Sequence, residues 1–571
     1  MKRSDPPTER STERDWNAIA WIAMVAVVSS LAGIGNEFAQ DDVHLIQYND
    51  RIHDLWNWKE IVTSPFWPAP LSQDLYRPLT ALLHSLEFVV GGGGPTLFRV
   101  VSYLLYAATA VGVFLVGTRI LPRRVAFGAS LVFAAHPVHT EAVALAAGQS
   151  ELIVALIAAL MVVRYVDRRR RDGLRTSDWI ALIALYVAAC LAKEQGFVLP
   201  GLLVAAEVCL LTGPLAARMR VLWKGYAGLA LSAVLLLLLR RWVLGGDVAG
   251  TFTAEALQGL SISGRALTML TVVPEWTRLL VWPAHLRLDY SPQEMVASTT
   301  FGARELFGAL QLTIAMGVAL VARRRAPAVT FGLLWCAVAL LPVSNVLIPT
   351  GVLLAERTLF LPSMGFLFAI GGAAAMLIAA NDVATSRVWH GLQTVCIVVV
   401  LAGVLRSVER QRVWRNEALL AVRSVQDAPD SFRTQRSYGD VLFELHENAL
   451  ALQAYRRAIA LSPHGTGWRV RNDLAAHYRE LEERLLEAEQ LRASLAEQPN
   501  QHDVWGYLVA ADLALGLYAE AARDADVAIQ HGGSISVFQG MRAVADSATR
   551  VSAPPGSVKL RIRTTPAGSG R

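Results

Sequence analysis

Charged residues are scarce in this chain of 571 residues. Only 18% of the residues are Asp, Glu, Lys or Arg, whereas 54% are hydrophobic. Soluble globular domains carry about 25% charged residues, so this shortage excludes an ordinary soluble protein. Several apolar runs are long enough to cross a bilayer core of about 30 Å, which takes about 20 residues. The composition therefore predicts an all-α, polytopic membrane helical bundle.

Cysteine is also rare, and its distribution does not indicate a metal site. The chain has four cysteines, each inside an apolar run and without the spacing of metal ligands: Cys190, Cys209, Cys336 and Cys396. We interpret them as small buried apolar side chains. The first apolar run lacks an A-x-A cleavage site, so we expect it to be retained as a membrane helix.

Eleven apolar segments predict membrane spans. They lie near residues 17–34, 98–118, 125–142, 150–166, 178–194, 196–212, 222–244, 302–322, 328–347, 361–380 and 388–406. With this count, the main arginine-rich clusters fall on one side, which the positive-inside rule makes cytoplasmic. Topology thus accounts for the net charge of +6 without a nucleic-acid partner. The shorter stretches 79–90 and 266–282 indicate interfacial or re-entrant segments, although the second could be a further span.

The composition changes after the last span, where charged residues alternate with Ala and Leu at helical spacing. Pro429, Pro463 and Pro499 recur every 34 to 36 residues, and a period of 34 is typical of tetratricopeptide repeats. A generic bundle of helical hairpins is the alternative. We predict a cytoplasmic tail (1–15), a membrane domain (16–408) with its first outer loop at 35–97, a short repeat α-solenoid on the outer side (409–550) and a disordered tail (551–571).

Ionisable residues at the ends of spans are costly, and they are therefore candidates for function. Those on the predicted outer side are Asp41, Asp42, Arg77, His136, His139, Glu141, Lys193, Glu194, Arg240, Arg241, Glu356 and Arg357. For the paired aspartates, a solvated loop or a helix N-cap is the ordinary alternative. Adjacent side chains diverge, so Lys193-Glu194 and Glu356-Arg357 would pair with other clusters, as structural ion pairs or as parts of a site. Arg240-Arg241 would snorkel to the interface or face an anion such as a lipid phosphate.

Two histidines raise the question of a metal. On a helix, His136 and His139 would share a face, with Glu141 close by. Zinc needs a third or fourth ligand, and no obvious one follows in the sequence. A divalent metal is therefore compatible with these residues but not implied. We favour a bend at Pro137 whose polar groups line a cavity.

Five motifs occur along the chain in a fixed order. They are Asp41-Asp42, Tyr76-Arg77-Pro78-Leu79-Thr80, His136-Pro137-Val138-His139-Thr140-Glu141-Ala142-Val143, Leu191-Ala192-Lys193-Glu194-Gln195-Gly196, and Ala355-Glu356-Arg357 continued by Pro362-Ser363-Met364-Gly365-Phe366. Ser344-Asn345 and Trp414-Arg415-Asn416-Glu417 accompany them. Over roughly residues 35–530, the chain resembles the transmembrane and tetratricopeptide-repeat O-mannosyltransferases.

This resemblance implies a GT-C-type glycosyltransferase that takes a sugar from a polyprenyl-phosphate carrier. It implies mannose as the sugar, a Ser or Thr hydroxyl of a protein as the acceptor, and a carboxylate of the first outer loop as the base. The chain departs from the family in two places. Gly148-Gln149-Ser150-Glu151 stands where the family has Gly-Arg-x-Asp/Glu, and the repeat array is shorter than in the animal members.

The chemistry of such a transfer matches the candidate residues. An acceptor hydroxyl must lose its proton as it attacks, and a carboxylate can take that proton. Either Asp41 or Asp42 would be the base in an inverting displacement, with the other orienting it. Lys193, Arg240, Arg241 and Arg357 are candidates for holding the donor phosphate. Because phosphate is already a good leaving group, a metal is not obligatory.

The sequence leaves several alternatives open. The acceptor could be a glycan or a lipid, and the acceptor protein would dock on the repeats. A non-catalytic membrane scaffold and a transporter also fit many spans, but a scaffold needs no cluster of polar motifs on one face. We expect a multi-pass protein of a bacterial inner membrane with its repeats in the periplasm, or of the ER membrane with luminal repeats if the host is eukaryotic.

Overall fold

The computed structural model describes residues 9–69, 71, 74–246, 253–290, 295–379, 385–463 and 465–552. Most of the N-terminal segment 1–15 and nearly all of the segment 551–571, which we predict to be a disordered tail, lie outside these residues. Every regular element in the described ranges is a helix. The all-α prediction is therefore confirmed. Two compact units divide the chain between Thr434 and Gln435.

The first unit consists of helices of very different lengths. They are α1 (Glu9–Ser30), α2 (Trp58–Thr63), α3 (Pro78–Val90), α4 (Pro95–Ile120), α5 (Arg123–Ala135), α6 (Thr140–Ala144), α7 (Gln149–Arg170), α8 (Thr176–Ala192), α9 (Leu199–Leu210), α10 (Leu215–Val243), α11 (Ile262–Val281), α12 (Ala303–Arg325), α13 (Pro327–Leu340), α14 (Phe360–Ala379), α15 (Thr385–Val413) and α16 (Glu417–Asp427). Short 3₁₀ or π turns cover Val43–Gln47, Pro137–His139, Glu194–Val198 and Glu356–Leu359. Four of the candidate functional residues lie in these turns, namely His139, Glu194, Glu356 and Arg357, and Asp42, His136 and Lys193 come directly before them.

Each of the eleven predicted spans overlaps a helix. In the part of the chain that the structure describes, seven helical segments are long and apolar enough to cross a membrane: Asp15–Gly33, Pro95–Ile120, Gln149–Arg170, Leu215–Val243, Ala303–Arg325, Glu356–Ala379 and Arg387–Val413. The chain is therefore a multi-pass membrane protein. The count of eleven stays a prediction, because α5, α8, α9 and α13 are shorter than these segments.

The predicted span at 125–142 is wrong at its end. Helix α5 stops at Ala135, and His136 has an extended backbone with φ −72° and ψ 120°. Pro137 explains the stop, because a proline disfavours the helical conformation of the residue before it. The His136 motif therefore forms a turn and the short helix α6 at the end of α5.

Two glycines allow α13 and α14 to approach each other closely. A Cβ added at Gly332 would lie 2.3 Å from the Gly365 carbonyl oxygen, and one at Gly365 would lie 2.6 Å from the Gly332 carbonyl oxygen. Close approach at small residues is a common way for membrane helices to pack. Trp335 adds a hydrogen bond from its indole Nε1 to the Leu361 carbonyl at 3.0 Å. These contacts fix the start of α14, next to the Glu356 turn.

The second unit is a series of helical hairpins. Helix α17 (Phe432–Glu444) leads into it, and α18 (Asn448–Leu461), α19 (Trp468–Glu480), α20 (Arg484–Glu497), α21 (His502–Ala514), α22 (Tyr518–Gln530) and α23 (Ile535–Ser552) follow. Pro463 and Pro499 lie between hairpins, as their spacing predicts. The prediction of tetratricopeptide-like repeats is confirmed, and even the degenerate middle copy forms a hairpin.

Candidate active site

The turn that carries Asp41 and Asp42 lies beyond the end of α1. Gln40, just before the aspartates, has a φ of 53°, in the left-handed region that non-glycine residues seldom adopt. Its backbone N–H donates to Glu417 Oε2 at 2.6 Å, and the Glu37 N–H donates to the Arg415 carbonyl at 2.9 Å. The motif Trp414-Arg415-Asn416-Glu417 therefore holds this turn in a defined conformation.

Asp42 is completely buried, and both of its carboxylate oxygens are engaged by the protein. Oδ2 accepts the Ala146 N–H at 2.9 Å and lies 3.3 Å from Arg99 Nη1, and Oδ1 accepts the Ala147 N–H at 2.9 Å. Burial raises the pKa of Asp42 above its ordinary value, although Arg99 and the two backbone amides oppose that effect. Because the carboxylate of Asp42 is buried and both of its oxygens are engaged, its geometry suits holding the turn in place.

Arg99, near the start of α4, joins the aspartate turn to the end of α6. Besides Asp42, its guanidinium donates to the Glu37 carbonyl at 2.7 Å and to the Ala144 carbonyl. Sequence reasoning missed this residue because it stands alone at the start of a predicted span. A lone arginine in an apolar segment is costly, which is the signal that could have found it.

Asp41 lies in a different environment from its neighbour. Its side chain is 26% exposed, and in the described part of the chain no hydrogen bond reaches its carboxylate. Arg357 Nη2 lies 3.9 Å from Asp41 Oδ2. Arg357 is in turn fixed by Glu141, which accepts the Arg357 backbone N–H at 2.8 Å and pairs with its guanidinium. Asp41 thus has an accessible carboxylate beside a positioned cation.

A second group of charges surrounds Glu194. Arg77 donates to Glu194 Oε2 through Nε at 3.0 Å and Nη2 at 2.7 Å, and Arg240 Nη1 donates to Oε1 at 2.9 Å. Burial raises the pKa of Glu194, but the two guanidiniums outweigh it and lower the pKa to about 2. Two cations therefore share one carboxylate, and the group carries a positive charge.

Lys193 connects the two groups. Its ammonium pairs with Glu151, and it interacts electrostatically with both Arg77 and Arg357. Arg357 in turn interacts with Asp41, Glu141 and Glu151. The ion pairs form three neighbouring groups: Arg77–Glu194–Arg240, Lys193–Glu151, and Arg357 with Asp41 and Glu141. We call these four cations and four carboxylates, which interact electrostatically across the groups, the cluster. As expected for adjacent residues, Lys193 and Glu194 pair with different partners.

The adjacent arginines Arg240 and Arg241 differ in burial, as Asp41 and Asp42 do. Arg240 is buried and reaches Glu194 and the Asp74 carbonyl, the latter at 2.7 Å. The snorkelling interpretation is therefore wrong for Arg240, because the carboxylate of Glu194 draws its guanidinium inward. Arg241 is exposed to the surroundings.

His136, His139 and Glu356 make their hydrogen bonds outside the cluster of charges. His136 Nε2 lies 3.0 Å from the Leu280 carbonyl, and His139 Nε2 lies 2.9 Å from Ser363 Oγ. Glu356 accepts from the Arg287 N–H and from the Tyr290 hydroxyl, the latter at 3.1 Å. These side chains contact the end of α11, the segment after it and the start of α14. Among the described residues, no group of three His, Cys, Asp or Glu side chains has the arrangement of a metal site.

Gln149 lies at the position where the resemblance implies an arginine. It is buried, and its amide Nε2 donates to Glu87 Oε1 at 2.8 Å, to the Phe98 carbonyl at 3.2 Å and to Ser102 Oγ at 3.3 Å. The side chain is therefore committed to α3 and α4. Of that motif, Glu151 is the residue that reaches the cluster, through Lys193.

Comparison with known proteins confirms the resemblance to protein O-mannosyl-transferases. The human protein O-mannosyl-transferase TMTC3 is 26% identical over 461 residues, which cover 75% of this chain and 50% of the relative. The Caenorhabditis elegans protein O-mannosyl-transferase F38B6.6 is 24% identical over 473 residues, covering 80% of this chain and 64% of the relative. The chain thus spans between half and two thirds of the length of these relatives.

Other comparisons are less informative. No family model matches the chain. Among solved structures, an oligosaccharyltransferase of Archaeoglobus fulgidus with a tethered acceptor peptide aligns with a TM-score of 0.41 and 12% identity, over 74% of this chain and 59% of that chain. A TM-score at this level is too low to assign a shared fold.

Proposed function

We propose that this protein is a membrane glycosyltransferase that moves a sugar, in our reading mannose, from a polyprenyl-phosphate carrier to a Ser or Thr hydroxyl of a protein. The observation that carries the proposal is the contrast between the two aspartates. Asp41 is accessible beside Arg357, whereas both oxygens of Asp42 are engaged by Arg99 and backbone amides. A turn built in this way presents one carboxylate to a substrate and buries the carboxylate that fixes the turn.

Asp41 acts as the general base in this account. The acceptor oxygen forms a bond to the anomeric carbon as the bond from that carbon to the phosphate oxygen breaks. The bonding electrons leave with the polyprenyl phosphate, and the hydroxyl proton passes to Asp41. A displacement of this kind inverts the anomeric centre. Arg357 Nη2, 3.9 Å from Asp41 Oδ2, places a fixed cation beside this carboxylate.

The cations of the cluster hold the donor phosphate. Arg77, Lys193 and Arg240 form its largest concentration of positive charge, and guanidiniums bind phosphate oxygens through paired hydrogen bonds. The carboxylates of Glu151 and Glu194 keep these cations in place before the donor arrives. The same cations then stabilise the negative charge that develops on the leaving phosphate.

A protein acceptor is supported by the names of the relatives, and the repeats supply a surface for it. Tetratricopeptide stacks form extended concave surfaces that bind peptides. The Asp41 turn contacts Arg415 and Glu417, so the active site and the end of α15 lie on one face of the membrane unit. By the positive-inside rule this is the outer face, periplasmic in a bacterium and luminal in the ER.

A transfer assay tests the proposal. Purified full-length protein would receive radiolabelled polyprenyl-phosphate mannose and a membrane-free extract of host proteins. We expect label to appear on protein and to be released by β-elimination, which cleaves sugars from Ser and Thr. Label on a lipid or glycan would support a transferase but would show that the acceptor is not a protein. No consumption of any of several sugar donors by folded protein would contradict a transferase and favour a scaffold.

A further inference from the structure

A long apolar groove lies on the side of the bundle where α1, α5, α14 and α15 meet. It encloses about 1150 Å³, and its lining includes residues from Trp389 to Arg406 of α15. At 1.5 Å per residue, these two positions are about 26 Å apart, close to the thickness of the hydrocarbon core of a bilayer. The volume is above the range of about 300–1,000 Å³ that is usual for pockets of drug-sized ligands. We call this feature the α5–α15 groove.

One end of the α5–α15 groove is basic. Arg123 and Arg124 line it there, at the start of α5. Arg123 donates to Asp15 Oδ1 at 2.7 Å, so much of its charge is neutralised. The guanidinium of Arg124 lies over the ring of Trp389, 5.6 Å from its centre, and among the described side chains it contacts no carboxylate. A positioned guanidinium that has no carboxylate partner among the described residues, at the mouth of an apolar groove, suits an anionic headgroup.

The basic end lies far from the catalytic cluster. Helix α1 runs from Asp15, the partner of Arg123, toward the turn that carries Asp41, and its 19-residue apolar segment Asp15–Gly33 is about 28 Å long. At the far end of the groove, Arg406 is already engaged by the Ala284 carbonyl at 2.8 Å and by Glu409 at 2.7 Å. A donor whose phosphate must reach Asp41 would therefore have its headgroup at the wrong end.

We propose that the α5–α15 groove binds one anionic phospholipid, with its phosphodiester at Arg124 and its acyl chains along α5 and α15. The lipid belongs to the leaflet on the Arg123–Arg124 side, opposite the active site. Basic pockets between membrane helices are known to recognise anionic headgroups in this way. The lipid fills a groove that neighbouring helices leave open and packs α15 against the rest of the unit.

The test is lipid binding to the full-length protein by native mass spectrometry. Delipidated protein in mild detergent would be titrated with phosphatidylglycerol and with phosphatidylcholine of the same acyl chains. We expect one tightly retained lipid and a preference of about fivefold for phosphatidylglycerol, the equivalent of one surface arginine. Arg124→Gln should abolish the preference. The matched control Arg220→Gln, at an exposed arginine of α10 outside the groove, should keep it.

A second variant tests the groove itself. Ala402 lines it from an exposed position on α15, so Ala402→Phe should fill the groove with little cost to packing and should remove the retained lipid of either type. If Ala402→Phe does not fold, Ala374→Phe on α14 provides the same test. Equal binding of the two lipids to the wild type, a preference that survives Arg124→Gln, or retention in the filled variants would overturn the proposal. If polyprenyl phosphate displaced phosphatidylglycerol mole for mole, the groove would be assigned to the sugar donor and the proposal would be overturned.

Discussion

Arg99 and Asp42 form an ion pair in the interior of the membrane unit, with Arg99 Nη1 3.3 Å from Asp42 Oδ2 and both side chains buried. The same guanidinium holds the Glu37 carbonyl at 2.7 Å. Removing one partner of a buried pair leaves an uncompensated charge, which is far more costly than removing both partners. The conformation of the aspartate turn therefore depends on a residue of α4, 57 positions along the chain.

A double-mutant cycle tests this dependence. Asp42→Asn should destabilise the protein by about 3–5 kcal/mol, because Arg99 keeps its charge and loses its partner. Adding Arg99→Met should restore much of the loss, since the buried charge is then gone. Chemical unfolding in detergent would measure the four proteins. Strictly additive losses, with no recovery in the double variant, would argue against the pair as the element that fixes the turn.

Arg357 should not tolerate lysine. Its guanidinium pairs with Glu141 and reaches toward Asp41, and an ammonium cannot serve both carboxylates with the same geometry. We expect Arg357→Lys to lower kcat by about 10²-fold, the size seen when one electrostatic contact to a transition state is lost. The nearby control Arg415→Lys replaces an exposed arginine that contacts the turn only through its backbone carbonyl. Similar kcat values for the two variants would remove Arg357 from the catalytic cluster.

Glu194 should make stability depend on pH in the acid range. Its folded-state pKa of about 2 is below the ordinary value of 4.5, so the folded protein favours the carboxylate. Its contribution is complete above about pH 4.5 and is lost as the pH falls toward 2. The difference in unfolding midpoint between the wild type and Glu194→Gln should therefore shrink across that window. Glu489→Gln, at an exposed position of α20, is the control and should change the midpoint little at each pH.

Alanine substitution should change stability differently at two helical glycines of the repeats, Gly439 and Gly506. A Cβ at Gly439 would meet the ring of Tyr455 at 3.0 Å, whereas one at Gly506 would meet nothing within 4 Å. Gly506→Ala should stabilise its helix by about 0.5–1 kcal/mol through reduced backbone entropy. Gly439→Ala should gain less or lose stability, because Tyr455 must move. Thermal unfolding of the two variants would show the difference, and an equal gain at both positions would contradict the packing described.

Much of the architecture follows from patterns that the sequence contains. Apolar runs and basic flanks predict the spans, and the recurring prolines predict the hairpins of the second unit. The end of α5 is where the prediction from the sequence is wrong. Hydrophobicity continues through Val143, but Pro137 imposes an extended backbone on His136, so local sterics prevail over the apolar pattern.

The candidate site was predictable only as a set of residues. Sequence spacing places Lys193 beside Glu194, but their partners Glu151, Arg77 and Arg240 come from distant parts of the chain. The sequence also could not predict that Asp41 and Asp42 have different environments. Those environments depend on Arg99 and on backbone amides more than 100 residues away, and no local pattern encodes such contacts.

The roles of the two aspartates are the central claim, and one measurement tests it most directly. Turnover at saturating donor and acceptor would be measured for Asp41→Asn and Asp42→Asn, each normalised to folded protein. The account predicts a loss of about 10²–10⁴-fold in kcat for Asp41→Asn, with the unfolding midpoint preserved, since a general base contributes an effect of this size. Asp42→Asn should instead lower the midpoint, and it should reduce turnover per folded molecule much less than Asp41→Asn does, because Asp42 acts only through the conformation of the turn. The opposite pattern, with full turnover in Asp41→Asn and none in folded Asp42→Asn, would contradict the account.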